Sequence, residues 1–142
     1  MAIDVLIVLG SKSDAEVGKA AGKILDEFGV SYEMVVASAH RTPDLLRDLV
    51  RNTPAKVFIA VAGLSAALPG TIAAHTLKPV IGVPVSGKVN LDSILAVTQM
   101  PPGVPVAAPG LRRPRSSVVR RQRSLSRALL FRLRRRPKVN PN

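Results

Sequence analysis

The chain contains no cysteine, which excludes a disulfide scaffold, a zinc–thiolate site and a cysteine nucleophile, and agrees with a reducing cytoplasm. No basic leader precedes the first apolar segment, so no signal peptide is read at the N-terminus. No apolar run approaches the roughly 20 residues needed to span a bilayer, so no membrane partner is expected. The first loop has neither the GxxxxGK[ST] spacing of a P-loop nor the GxGxxG of a dinucleotide fingerprint. No His and carboxylate cluster has metal-ligand spacing, so no metal is expected.

Acid is also missing from the last part of the chain. Residues 111–142 hold twelve Lys/Arg and no Asp or Glu, whereas residues 1–110 hold nine of each kind. The net charge of +12 therefore belongs wholly to the tail. A neutral body with a cationic appendage differs from a basic domain. At 142 residues the chain has the length of one domain with a real core.

Within the body, residues 3–9 form a nearly continuous apolar run, broken only by Asp4, as expected of a central parallel strand. Val17, Ala21, Ile24, Leu25 and Phe28 then share one helical face. Ser13 with Glu16 has a capping-box pattern, and Gly29 stands where a C-cap belongs. A second run over 32–37 leads into Ser38-Ala39-His40-Arg41-Thr42-Pro43-Asp44. There Thr42 suits the N-cap of a second helix, Pro43 its first position and Asp44 its first turn. Leu45, Leu46, Leu49 and Val50 form its stripe, and Asn52-Thr53-Pro54 stops it. A third strand is predicted over 57–62, a short helix around 71–76, a fourth strand over 80–85 and a polar loop over 86–90. Leu91, Ile94, Leu95 and Thr98 then make a fourth helical face, Met100-Pro101-Pro102-Gly103 breaks it, and 104–108 is a short fifth strand. Strands alternating with helices argue for a doubly wound parallel sheet. Beyond Gly110, Arg, Pro and Ser dominate, and only residues 125–133 carry a thin apolar stripe (Leu125, Ala128, Leu129, Leu133).

In such a sheet the loops after strands one, two and three converge where ligands bind. The first offers Ser11, Ser13 and Asp14 beside Gly10, hydroxyls for a phosphate and a carboxylate for a ribose or base donor. The second offers His40 for proton transfer and Arg41 as an anion clamp, close to a helix N-terminus. The third, Gly63-Leu64-Ser65-Ala66-Ala67-Leu68-Pro69-Gly70, shapes a wall. The plainer alternative is that Ser38 and Thr42 only cap a helix and His40 is a surface histidine. His75 reads as structural or solvated, and Lys12 as a solvated loop cation.

GSKSD, SAHRTPD, AG…LPG, GVPV and QMPPGVPVA, in this order over residues 3–108, resemble the 5-(carboxyamino)imidazole ribonucleotide mutase family. That family is also described as the catalytic subunit of phosphoribosylaminoimidazole carboxylase, of purine biosynthesis. The resemblance implies a flavodoxin-like three-layer α/β/α sandwich and a cytoplasmic homo-octamer with sites near subunit interfaces. It also implies a ribonucleotide substrate and CO2, and no cofactor. By the same resemblance His40 is the general acid/base and Arg41 binds the phosphate, while Ser11 and Asp14 occupy ligand-binding positions. Gly10, Ser13, Ser38, Ala39, Gly63, Ala67 and Leu68 complete the substrate-binding set. The carbamate would lose CO2 in a closed pocket, and C4 would recapture it before it escapes. Imidazole would then remove the C4 proton, with Ala66, Ala67 and Leu68 keeping water out.

Ala67 stands where bacterial members carry a histidine, as in archaeal-type members. The substrate is therefore open between the carbamate (an isomerase reaction) and aminoimidazole ribonucleotide plus CO2 (a carboxy-lyase). The SAHR form favours the mutase. After Ala108 the family continues into an Ala/Leu-rich helix, whereas this chain enters its arginine-rich tail. Residues 1–110 are thus read as the catalytic domain. Residues 111–142 are read as disordered or as an out-of-frame reading of a GC-rich gene, which resequencing that finds this frame intact would refute. Two other classes remain. One is a nucleic-acid binder through the tail, whose charge gives non-specific, salt-dependent affinity but whose one aromatic, Phe131, gives little stacking. The other is a non-catalytic nucleotide-binding module.

Overall fold

The computed structural model describes residues 3–85 and 91–108. The predicted loop at 86–90, the tail from 111 and its stripe at 125–133 lie outside the described residues. Four strands, β1 (Val5–Leu9), β2 (Tyr32–Val36), β3 (Val57–Gly63) and β4 (Val80–Val85), alternate with α1 (Ala15–Glu27), α2 (Pro43–Asn52), α3 (Leu68–Ala74) and α4 (Asp92–Thr98). The sheet is parallel in the order β2-β1-β3-β4. Leu9 pairs with Val36 on one side and Val61 on the other, so β1 and β2 end level and β3 runs two residues further. That end of the sheet is where the functional loops leave.

Period-two alternation divides the strand side chains between two cores. Val5, Ile7, Leu9, Val57, Ile59, Val61, Ile81 and Val83 pack with Ala21 and Leu25 of α1. Leu6, Val8, Phe58, Ala60 and Val80 pack with Leu46 and Val50 of α2, Leu68 and Ile72 of α3 and Val97 of α4. Strands buried on both faces explain the unbroken apolar runs of β1 and β3. α1 ends as expected at Gly29, whose φ of +61° places it in the left-handed region. The Val30 amide donates to Leu25 O and the Gly29 amide to Asp26 O, both at 3.0 Å, which closes a Schellman turn.

One strand lies at the sheet edge, and three helices depart from their expected faces or bounds. β2 is an edge strand, with Met34 and Val36 exposed. In α2 only Leu46 and Val50 are buried, and Leu45 faces outward. α3 starts at Leu68, three residues before the predicted span, with Pro69 in its first turn. The inward face of α4 is Ser93 and Val97, while Leu91 and Leu95 are exposed. Gly82 decides that last point. A Cβ there would lie 2.5 Å from Val97 Cγ1, so the missing side chain is the notch into which α4 docks.

The fifth strand shrinks to one bridge, Ile81 with Ala107. The Ala107 amide donates to Val80 O and the Gly82 amide to Ala107 O, both at 2.9 Å. Parallel pairing would next use residues 105 and 109, and both are proline, with no amide to give.

At the opposite end of the sheet Asp4 ties three strands. Its carboxylate takes Lys56 Nζ at 2.6 Å and Ser31 Oγ at 2.8 Å. The lysine and serine hydrogen bonds hold its pKa below the usual carboxylate value. The folded state therefore gains stability that is full above the unfolded pKa and lost as pH falls through the lower, folded one. The pair is solvent-exposed, so the contribution is at most about 1 kcal/mol. Asp4→Asn is expected to cost up to about 1 kcal/mol at neutral pH, a difference from the parent that shrinks away as pH falls below about 4. An unchanged acid limb in urea titrations would contradict this.

Candidate active site

The first loop folds on itself. Ser11 precedes a single 3-10 turn, Lys12–Asp14, and its Oγ accepts from the Ser13 amide at 3.3 Å. Asp14 Oδ2 accepts from the Ser11 amide at 3.1 Å, which completes a reciprocal capping box. The box expected at Ser13 and Glu16 therefore forms two residues earlier, around the 3-10 turn, and Glu16 instead pairs with Lys19 on the surface. Asp14 is buried. Burial pushes its carboxyl pKa up, against the Ser11 amide, the Ser13 hydroxyl and the charge of Arg41, which pull it down. A raised carboxyl pKa means that stability rises as pH falls from neutral through the folded value toward the unfolded one. Asp14→Asn keeps an acceptor for the Ser11 amide and removes the buried charge. It is expected to equal or exceed the parent in urea unfolding at pH 7 and to lose this pH-dependent gain. Asp14→Ala is expected to cost about 1 kcal/mol through the lost cap.

The second loop starts beside the first. The Ala37 amide donates to Leu9 O at 3.0 Å, and Ala37 is buried. Ser38 and Ala39 are half-buried, and His40 and Arg41 stand exposed at the tip. Arg41 Nη2 donates to Gly10 O at 3.1 Å, so the guanidinium ties the second loop to the first. Thr42 occupies the N-cap position of α2, as expected, but its side chain does not cap the helix. It bonds back to Ser38 instead: Oγ1 accepts from the Ser38 amide at 2.9 Å and donates to Ser38 O at 3.2 Å. Asp44 in the first turn of α2 pairs with Arg47 at 3.0 Å.

The third loop lies against Gly10. The Gly10 amide donates to Val61 O at 2.9 Å. A Cβ on Gly10 would sit 3.7 Å from Ala62 Cβ and 3.8 Å from Leu68 Cδ2, ordinary contact distances. Leu68 is thus a buried floor beneath the first loop, Ala67 is half-buried, and Gly63 closes a turn by accepting from the Ala66 amide at 3.0 Å. Leu64 and Ala66 have φ values of +54° and +39°. Such conformations cost a non-glycine residue of order 1–3 kcal/mol and concentrate at functional sites. Nothing in the residue types Leu and Ala announces them.

Gly10 therefore joins all three loops: Arg41 reaches its carbonyl and Leu68 underlies its Cα. Ser11, Ser13 and Asp14 follow it on the first loop. Ser38, Ala39 and His40 precede Arg41 on the second, and Gly63 and Ala67 belong to the third. His75 and Lys78 lie toward the opposite edge, before β4, where Lys78 Nζ donates to Thr53 O at 2.8 Å. Among the described residues no group of three or more His, Asp or Glu side chains could hold a metal ion. No helix among them is long and apolar enough to cross a membrane.

A parallel sheet in the order 2-1-3-4 whose first three loops meet at the carboxyl edge defines a flavodoxin-like α/β protein with its ligand edge at that end. The AIR carboxylase family profile matches residues 4–121, and the chain belongs to that family. It is 51% identical over 116 residues to N5-carboxyaminoimidazole ribonucleotide mutase of Methanocaldococcus jannaschii, a match taking in 81% of this chain and 74% of that one. It is 53% identical over 106 residues to the protein of the same name from Bacillus subtilis, covering 71% of this chain and 65% of the relative. The chain thus spans about two thirds of the Bacillus protein's length. The crystal structure of Treponema denticola PurE superposes with a TM-score of 0.66 at 22% identity, over 91% of this chain and 92% of that one, and supports the fold. The family read from the five sequence motifs is the family found.

Proposed function

We propose that this chain is an N5-carboxyaminoimidazole ribonucleotide mutase of purine biosynthesis, with His40 as general acid/base. The observation that carries the reading is the Arg41–Gly10 hydrogen bond. It ties the histidine loop to the serine loop, and in this reading a phosphate gripped by Arg41 leaves the imidazole ring of the nucleotide to the neighbouring His40. The chemistry balances on one histidine. Imidazolium protonates the exocyclic nitrogen as its bond to the carboxyl group breaks and CO2 leaves. C4 attacks that CO2, and the neutral imidazole takes the C4 proton as aromaticity returns. The cycle ends with His40 protonated as it began, and it calls for no redox step or phosphoryl transfer.

Gly10, Ser11, Ser13, Ser38 and Ala39 serve the phosphate and ribose in this reading, with Asp14 ordering the first loop behind them. Gly63, Ala67 and Leu68 form the small, apolar wall that confines CO2. The enzyme acts in the cytoplasm as a homo-octamer. Exposed Met34 and Val36 on the edge strand and exposed Leu45 on α2 supply apolar surface for subunit contacts. The cationic segment 111–142 stands apart from catalysis and gives only non-specific affinity for nucleic acid.

Ala67 favours a second reading, carboxylation of aminoimidazole ribonucleotide by CO2. One assay separates the two. The purified chain receives either the carbamate or aminoimidazole ribonucleotide with bicarbonate, and C4-carboxylated product is followed. The proposal expects turnover of the carbamate at low bicarbonate. Product only from the second pair would establish the carboxylase, and product from neither would refute both.

A further inference from the structure

We infer that Thr42 is a positioning residue whose hydroxyl holds the His40–Arg41 tip for the reaction instead of capping α2. The inference rests on the function proposed above. An N-cap threonine ordinarily accepts from the amide of the second or third helical residue, here Asp44 or Leu45. Thr42 has the right position and the wrong backbone, φ −137° and ψ 53°, and makes no such bond. Its hydroxyl turns back across the loop.

The result is a closed clasp. Thr42 Oγ1 accepts from the Ser38 amide at 2.9 Å and donates to the Ser38 carbonyl at 3.2 Å. The Thr42 amide reaches that same carbonyl at 3.0 Å. Ser38 Oγ accepts from the Arg41 amide at 3.2 Å, which leaves its own proton for a bound oxyanion. Both backbone groups of Ser38 are therefore held by one residue, and the three residues between, Ala39, His40 and Arg41, have their two ends pinned together. His40 and Arg41 are exposed, so little packing holds them in place. A residue that gives up a helix cap to fix a loop departs from the local rule in the way functional sites do.

The test compares Thr42→Val, which keeps the shape and deletes both hydroxyl bonds, with Thr42→Ser, which keeps the hydroxyl. The unsubstituted full chain is assayed first, by kcat and KM for the carbamate. Thr42→Val is expected to lose roughly 10²-fold in kcat, the scale of a small misplacement of a reacting group. Its KM should rise as well, because Arg41 shares the tip. Thr42→Ser is expected to stay near the parent in both. Wild-type constants in Thr42→Val would overturn the inference, as would equal losses in the two variants. No turnover by the unsubstituted chain would remove the proposed function and this inference with it. Normal turnover there with an unaffected valine variant removes the inference alone.

Discussion

Replacing His40 with Asn is expected to lower turnover roughly 10²- to 10⁴-fold, the usual worth of a positioned acid/base, while ribonucleotide binding persists. Asparagine retains a donor near the ring-nitrogen position but cannot carry a proton between nitrogen and carbon. The loss should therefore fall on kcat and on exchange of the C4 proton with solvent, which disappears in deuterated buffer. The structure bears on this through placement. His40 is exposed at a tip whose neighbour bonds to the first loop, and no described helix covers it. His40→Asn should match the parent in thermal unfolding, as would a surface histidine with no role, so turnover is what separates the two readings. Turnover retained in the variant would contradict the assignment.

The second large effect is expected from Arg41→Gln, on KM. A hydrogen bond to a charged partner contributes about 1.5–3 kcal/mol, or roughly 10- to 100-fold in affinity. Binding of an unreacting phosphate serves ground and transition states alike, so kcat should change less than KM. Lysine at this position should recover only part of the loss, because a point charge cannot form the planar, two-pronged contact of a guanidinium. Arg41 also donates to Gly10 O, so the glutamine variant loosens the first loop. Its charge is one of the influences that lower the Asp14 pKa, and without it Asp14 should titrate higher still. A KM unchanged by Arg41→Gln would refute the phosphate role.

Much of this was legible in the residues. β4 falls on the predicted span 80–85 because Pro79 and the β-branched run leave little choice. β1 and β3 were equally clear, as runs buried on both faces between turn residues. The edge position of β2 was not, since Met34 and Val36 are apolar whether or not a partner strand covers them. The inward face of α4 is not visible in the sequence, because leucines outweigh a serine in any pattern, whereas the notch at Gly82 is a tertiary fact. At the site, residue types pointed correctly to three loops, and the order of strands brought them together. The bonding within the loops was hidden. Ser11, Ser13, Ser38 and Thr42 each have several acceptors and donors within a few residues, and sequence spacing cannot choose among them. The choice between the two capping boxes turned on a 3-10 turn too short to leave a periodic signal.

The most direct measurement is a crystal structure of the full chain with the C4-carboxylated aminoimidazole ribonucleotide. The account predicts the phosphate on Arg41 and the serine hydroxyls of the first and second loops, with a His40 ring nitrogen within about 3–3.5 Å of C4. A nucleotide bound with its phosphate remote from Arg41, or with His40 turned away from the base across the sheet edge, would contradict it.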